Sequence, residues 1–431
     1  MHAASSLLAE TPTLAFPSPA SSGRHTPAAA WLRRRIAAAA AFAAALALAG
    51  GAIMAPGDAT AAATGASATP ADKARPAPRR ASAQPAPARK AAPSAQRNAR
   101  PSRAPAAAGA TAAAATAVAV AGEDLLRRPA LQELVRTLVD EHRFDEAELR
   151  ALFGKVRRVP EVLRLIAPPP PGFRRSWSAY RTRFIDPLRI REGVRFWGEH
   201  EATLARAQQR FGVPAEIIVA IIGVETIYGR VMGEFRVIDA LTTLGLEDPR
   251  RAAYFRDELA EFLLHTREAS IDPLSVRGSY AGATGIPQFM PASIRRFAVD
   301  FDGDGAIDLR RSSADAIGSV ARFLAEHGWR TGEASHFEVE IDDAARAQAL
   351  IDGGIEPRVR PGELASHGLR ARGWIPSEMP LALIDLPDGD GPTRYLLGGP
   401  NFYVVTRYNR SNFYAMAVLE LADTLRTSRA R

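Results

Sequence analysis

From residue 123 onward apolar residues recur mostly at helical spacing, and one later stretch alternates instead. Leu131, Leu134, Val135 and Leu138 lie on one helical face, and a second short helix is predicted from Phe144 to Phe153. The proline run Pro168 to Pro171 ends this pair. Tyr180 to Phe211 reads as one longer helix, with Val194, Trp197, Leu204 and Phe211 on its stripe and Gly212 as its stop. Pro214 suits the first turn of the next helix. That segment, through Ile217 to Gly229, is apolar on nearly every face and is predicted to be buried all round. Ala252 to Leu264 is amphipathic through Tyr254, Phe255, Leu259, Phe262 and Leu263. Ser312 or Ser313 can cap a helix carrying Ile317, Val320, Phe323 and Leu324, stopped at Gly328.

After Gly332 the pattern changes to short, partly alternating runs between turn residues. His336–Ile341, Leu381–Asp385, Arg394–Leu397 and Phe402–Thr406 are predicted as strands of a small antiparallel lobe over about 334–406. Tyr414 to Leu425 returns to helix. The fold class is therefore α+β and mainly helical, with no internal repeat.

One polar residue interrupts the buried helix: Glu225. An ionised carboxylate in such surroundings carries a large desolvation penalty unless paired, so the group tends to stay protonated near neutrality. A carboxylic acid neutral at working pH is what a general acid for glycosidic cleavage requires. A buried Glu satisfied by an arginine or by backbone amides fits the same pattern.

Composition separates folded from unfolded chain. Residues 57–122 are mostly Ala, Pro, Arg, Ser and Thr without an aromatic, too little apolar surface to offset the entropy of ordering. They are expected to form a tether stiffened by proline. The 309 residues from 123 to 431 suffice for a sizeable core. The chain's net charge of +8 belongs to the ends: 57–122 carries nine Lys and Arg against two Asp, 1–56 four Arg against one Glu, leaving 123–431 at −2. Nothing there argues for nucleic-acid binding by the folded part. The basic tether suits an anionic lipid or wall polymer, or serves only as a solvated spacer.

Arg33-Arg34-Arg35 followed by apolar Ile36 to Ala55 has the order of an export signal, although about thirty residues ahead of the arginines is unusual for one. Cleavage would release the protein; retention would leave an anchor barely long enough to span a bilayer, with the folded part outside. The absence of cysteine excludes disulfides and a lipid-modified N-terminal cysteine. A periplasmic protein, secreted or held at the inner membrane by 36–55, is expected.

Two further motifs carry chemistry. Ser279 to Pro291 is rich in small residues, and its glycines allow close backbone approach while Ser279 and Gln288 offer hydrogen bonds; an ordinary tight loop has the same composition. Asp300, Asp302 and Asp304, then Gly305 and Ile307, match the first part of an EF-hand loop. Carboxylates so close repel unless a hard cation such as Ca2+ neutralises them. Arg311 stands where that loop has its bidentate Glu, and Asp315 is the nearest later carboxylate; a solvated acidic turn is the alternative.

Several long strings together resemble the lytic murein transglycosylase B family of bacterial cell-wall enzymes. They are the Pro214–Thr226 segment, Pro249-Arg250-Arg251, the Ser279–Pro291 loop, the acidic loop, Asp315–Val320 and Asn401–Asn409. The resemblance covers about Phe173 to Leu421. It implies a lysozyme-like helical body that cleaves the β-1,4 bond between N-acetylmuramic acid and N-acetylglucosamine of peptidoglycan without water, leaving 1,6-anhydromuramic acid ends. By that resemblance Glu225 is the single acid and base, and Ser279 and Asn409 hydrogen-bond near it and the saccharide. Gln288, Tyr180 and Tyr408 line the glycan cleft, with Phe289 as an aromatic wall, while Arg250 and Arg251 meet peptide or lactyl carboxylates. Phe323 stands where the family commonly has a cleft tyrosine. The resemblance also implies a structural calcium on Asp300, Asp302, Asp304, the Ala306 carbonyl and Asp315, the last displaced by one extra residue. The expected partner is the glycan strand alone, bound by a monomer. A muramidase-type hydrolase with a second carboxylate, or a non-catalytic peptidoglycan-binding protein, are the competing readings.

Overall fold

The computed structural model describes residues 124–431; segment 36–55, linker 57–122 and their boundaries lie outside the described residues. Contacts divide the described chain into two compact units between Arg157 and Arg158. In the first, α1 (Pro129–Asp140) buries the predicted Leu131, Leu134, Val135 and Leu138. Asp145 caps α2 (Glu146–Phe153) by accepting the Glu148 N–H at 2.8 Å.

The second unit opens with α3 (Pro160–Ile166), a short helix not foreseen. The single helix expected from Tyr180 to Phe211 is three: α4 (Trp177–Arg181), α5 (Pro187–Glu199) and α6 (Glu201–Phe211). Pro187 disfavours a helical conformation at Asp186, whose carboxylate instead accepts the Leu188 and Arg189 N–H groups at 2.9 and 3.0 Å and starts α5 afresh. Gly212, left-handed at φ 72°, stops α6 as predicted.

Helix α7 (Ala215–Thr226) follows, and every residue of it except Glu216 is buried. Strand β1 (Phe235–Arg236) leads into α8 (Val237–Glu247) and α9 (Ala252–Glu268), and pairs with β2 (Arg277–Gly278). On α9 the predicted face is buried apart from Tyr254, which is exposed. Helix α10 (Pro291–Phe297) and the acidic loop precede α11 (Ser313–Glu326), capped by Ser312 as expected.

The β lobe contains β3 (His336–Ile341), α12 (Ala344–Asp352), a 3-10 turn (Pro361–His367), β4 (Leu369–Arg372), β5 (Ala382–Asp388) and β6 (Gly391–Gly398). All pairings are antiparallel, in the order β4-β3-β6-β5. Phe402–Thr406, expected as a strand, lies inside α13 (Pro400–Tyr408), so the sheet ends at Gly398. Pro400 opens its first turn, and buried Asn401, Phe402, Val404 and Val405 follow helical spacing. Helix α14 (Asn412–Arg429) closes the chain.

The sheet faces two cores. Ala382, Ile384 and Leu386 of β5 point into the main helical core, whereas Leu381 and Leu383 pack with Leu364, Leu369 and Met379 inside the lobe. Burial on both faces explains why this strand reads as a continuous apolar run. Helix α7 sits at the centre of the main core, packed by α5, α6, α11 and α14.

The end of α7 is pinned by Tyr228, whose hydroxyl donates to the Arg189 carbonyl at 3.1 Å. That hydroxyl fits only because two facing positions are glycine: a Cβ at Gly193 or Gly223 would lie 2.3 or 2.4 Å from it. Gly223→Ala is expected to destabilise the fold by about 1–3 kcal/mol through overpacking. Thermal melts should show a lower Tm, partly recovered when Tyr228→Phe removes the obstructing oxygen.

Candidate active site

Glu225 occupies the last turn of α7, 6 % exposed. The chain then runs through three consecutive left-handed residues, Ile227, Tyr228 and Gly229, at φ 52°, 59° and 82°. A β-branched residue in that region is strained and must be held by its surroundings. Thr226 does part of this, donating to the Ile286 carbonyl at 2.8 Å and accepting the Gly229 N–H at 2.9 Å. Arg189 of α5 donates to the Gly223 carbonyl at 3.0 Å, capping the helix end. The carboxyl is thereby aimed by a rigid turn.

The Tyr414 hydroxyl, from the first turn of α14, donates to Glu225 Oε1 at 2.7 Å. Burial pushes the Glu225 carboxyl up to about 7, while the Tyr414 hydrogen bond pulls it down. Neither a cation nor a second carboxylate perturbs its ionisation among the described residues. Tyr414 and Tyr408 are both held well above the usual phenol range by burial, with the Glu225 charge adding to it. Tyr180 is raised in the same way, by burial first and Glu225 next. Two predicted residues, Tyr180 and Tyr408, thus belong to the surroundings of Glu225.

An aromatic wall runs on either side. Phe413 packs 5.4 Å from Tyr180 and 5.5 Å from Trp177 by ring centroids. Tyr408 stacks on Tyr414 at 6.3 Å and donates to the Pro287 carbonyl at 2.6 Å. Phe289 differs from expectation: it is 2 % exposed and packs against Phe323 and Tyr408, backing the Tyr408 ring instead of offering a free face. Phe323 is buried in the same stack, where a larger hydroxylated ring would need a partner.

The Ser279–Pro291 loop is folded on itself. Ser279 Oγ accepts the Ala283 N–H at 3.0 Å, and Thr284 and Phe289 exchange backbone bonds at 2.9 and 3.1 Å. Gly285, at φ 74°, passes where a Cβ would lie 2.6 Å from the Leu309 carbonyl oxygen. The bond expected near Glu225 from Ser279 or Asn409 is made by Tyr414; Ser279 is buried in its own loop, and the Asn409 carbonyl accepts the Ser411 N–H at 2.7 Å. Gln288 sits left-handed at φ 51°, its Nε2 donating to the Gly285 and Met232 carbonyls at 2.9 and 3.2 Å. Its Oε1 is buried with no partner among the described residues.

Sequence reasoning read Tyr414 only as the start of a helix. The available signal was a tyrosine within an apolar helix, since a buried phenol needs a hydrogen-bond partner. Arg250 and Arg251 form a separate group, their N–H groups held by Asp248 at 2.9 and 2.7 Å and the Arg251 guanidinium 5.3 Å over Phe255.

In the acidic loop, oxygens of Asp300, Asp302 and Asp315 all lie within 4.8 Å of one another. The spacing suits carboxylates sharing one hard cation. Asp315 is 1 % exposed and accepts the Phe301 and Asp308 N–H groups at 2.7 and 2.8 Å, drawing together both ends of the loop. Asp304 lies outside this cluster, accepting the Ala306 N–H at 2.8 Å in a local turn. Backbone N–H groups, that of Gly305 foremost, hold the Asp300 carboxyl below its usual range.

Comparison with known proteins gives this arrangement a family. Residues 127–423 match the transglycosylase SLT domain. Over 319 residues the chain is 42% identical to the membrane-bound lytic murein transglycosylase B of Escherichia coli, spanning 72% of this chain and 86% of the relative. The soluble lytic transglycosylase SltB1 of Pseudomonas aeruginosa superposes with a TM-score of 0.65 at 46% identity, covering 70% of this chain and 100% of that one. An Escherichia coli lytic transglycosylase solved in complex with calcium does so with 0.64 at 41%, covering 72% and 96%. The chain belongs to the lytic murein transglycosylase B family and is a peptidoglycan-cleaving lytic transglycosylase of lysozyme-like fold.

Proposed function

We propose that Glu225 alone serves as acid and base in a non-hydrolytic cleavage of the MurNAc–GlcNAc β-1,4 bond, giving a 1,6-anhydromuramic acid end. The observation that carries this reading is a buried carboxyl pushed up to about 7, with one neutral hydrogen-bond partner and, among the described residues, no second carboxylate perturbing it. Tyr414 occupies Oε1, so the working proton belongs to Oε2. Transfer of that proton to the glycosidic oxygen breaks the C1–O bond as the leaving sugar departs. The substrate's N-acetyl oxygen supports the cationic C1. The resulting carboxylate takes the proton of the muramic C6 hydroxyl, O6 closes on C1, and Glu225 ends protonated as it began. Two-carboxylate hydrolysis places its partner about 5–9.5 Å away. An intramolecular hydroxyl replaces the activated water, its effective concentration supplied by being held in place. Tyr180, Tyr408, Gln288, Ser279 and Asn409 are assigned to the glycan cleft and Arg250 and Arg251 to its acidic substituents; Phe289 supports the cleft from behind.

A calcium ion fits the cluster of Asp300, Asp302 and Asp315, with Asp304 and the Ala306 carbonyl as further oxygen donors. It would neutralise the packed carboxylates and hold the loop between α10 and α11, with no part in the chemistry. The enzyme acts as a monomer in the periplasm, delivered or anchored by 36–55. Among the described residues no helix is long and apolar enough to cross a membrane.

Mass spectrometry of digested cell walls should find muropeptide ends lighter by one water, and Glu225→Gln should abolish their release while leaving sacculus binding intact. Water-added reducing ends would indicate the hydrolase, and an active Gln variant would remove Glu225 from the mechanism.

The pH dependence follows from the raised carboxyl. The acid must be protonated to act, so kcat/KM should fall as pH rises through about 7. Stability moves the same way: unfolded Glu ionises near its model value of 4.5, so the preference for the neutral folded form is complete below that pH and lost towards 7. Glu225→Gln should therefore gain stability relative to the parent between pH 4 and 8, by no more than about 3 kcal/mol, in denaturant titrations.

Chelation should lower Tm and added Ca2+ restore it, with Asp315→Asn insensitive to both. An unchanged Tm on chelation contradicts the metal assignment.

A further inference from the structure

The segment before α4 is fastened from outside the catalytic cluster. Asp388, at the bulge where β5 turns towards β6, accepts from the Ser176 and Ser178 hydroxyls at 2.5 and 2.7 Å and from the Ser178 N–H at 3.1 Å. The next residue, Gly389, donates its N–H to the Arg175 carbonyl at 2.9 Å, and Arg174 ion-pairs with Asp390. The hairpin therefore fixes the Arg175 backbone. Its side chain is fixed as well, with the guanidinium carbon 4.3 Å from the centre of the Phe413 ring. Phe413 lies against Tyr180 and Trp177, and its chain neighbour Tyr414 holds Glu225.

Other arginines of this wall are neutralised, Arg174 by Asp390 and Arg181 by Glu420. Arg175 is exposed and makes no ion pair among the described residues. A guanidinium parked on an aromatic face loses less freedom on binding than a solvated one, and its planar fork offers two parallel N–H groups to a carboxylate. Peptidoglycan supplies such groups beside the muramic ring, on the peptide stem or, where the stem has been removed, on the lactyl ether, whereas a neutral amino-sugar polymer has none.

We propose that Arg175 is a specificity-determining residue, binding a carboxylate of the muropeptide on the strand in the cleft beside Glu225. This rests on the cleft assignment made under Proposed function. The β5–β6 hairpin gains a role through it: the tip holds the reader of substrate charge at the cleft wall.

Arg175→Gln should reduce kcat/KM on peptide-bearing strands roughly tenfold, mainly through KM, while the Kd for an uncharged chitooligosaccharide stays within about twofold. Arg175→Lys should fall between. Amidase-stripped strands, in which removing the stem frees the lactyl carboxylate, separate the two sources: a loss there as well shows that the freed lactyl carboxylate is also read, and loss confined to intact strands assigns a stem carboxylate. Equal weakening for the uncharged oligosaccharide, or no loss on any carboxylate-bearing strand, overturns the proposal. Product mass is read in the same digests, so a failure of the ring-closing chemistry appears as reducing ends and is distinct from the Arg175 ratio.

Discussion

A neutral carboxyl inside an apolar helix, touched by one phenol, is the contact on which the rest of the structure converges. An arginine at that place would ionise the acid, and a water-filled site would let it titrate as an ordinary glutamate. Much of the surrounding architecture excludes both. Helix α7 is packed on all sides, so no polar side chain reaches Glu225 from its own helix. Arg189, a cation at this helix end, is spent on the Gly223 and Arg183 carbonyls and on Asp186. Tyr414 supplies a hydrogen bond without a charge, which steadies the carboxyl while leaving its proton available.

The sequence carried part of this plainly. Ten buried positions in a row, Ile217 to Thr226, with one Glu among them can be read directly, because burial of nearly a whole helix leaves no polar face to disguise it. The acidic loop was legible through its one-three-five spacing, but the membership of its cluster was not: Asp304 satisfies a neighbouring amide, while Asp315 arrives from the next helix. Helix boundaries failed where local chemistry outranked periodicity. The Asp186-Pro187 pair restarts a helix within an unbroken apolar stripe, and Val404 and Val405 suggested a strand where Pro400 had begun a helix. Tyr414 escaped because its partner is 189 residues away, a distance no local pattern spans. The aromatic backing of Tyr408 was missed for a related reason: Phe289 is apolar whether it faces ligand or core, and only packing tells which.

Two devices outside the Glu225 cluster work through the placement of the chain. The β lobe reaches the helical body through a hairpin tip whose Asp388 gathers three donors onto one oxygen. The acidic loop joins α10 to α11 and is drawn tight by Asp315; just inside it Phe301 fills the space that a side chain at Gly318 would need. Both convert a surface feature into the placement of buried aromatics.

The all-apolar character of α7 also matters before the protein has folded. Ile217 to Val224 is an eight-residue run rich in β-branched side chains, of the sort that self-associates when exposed in a nascent chain. Its flanks are Glu216 and Glu225. In the extended chain at neutral pH both are ionised and repel neighbouring copies, acting as gatekeepers. On burial the Glu225 carboxyl is pushed up to about 7, and in the proposed mechanism it becomes the proton donor. One carboxyl thus guards against aggregation in the nascent chain and, in that mechanism, serves chemistry once enclosed, and what separates the two duties is its ionisation state.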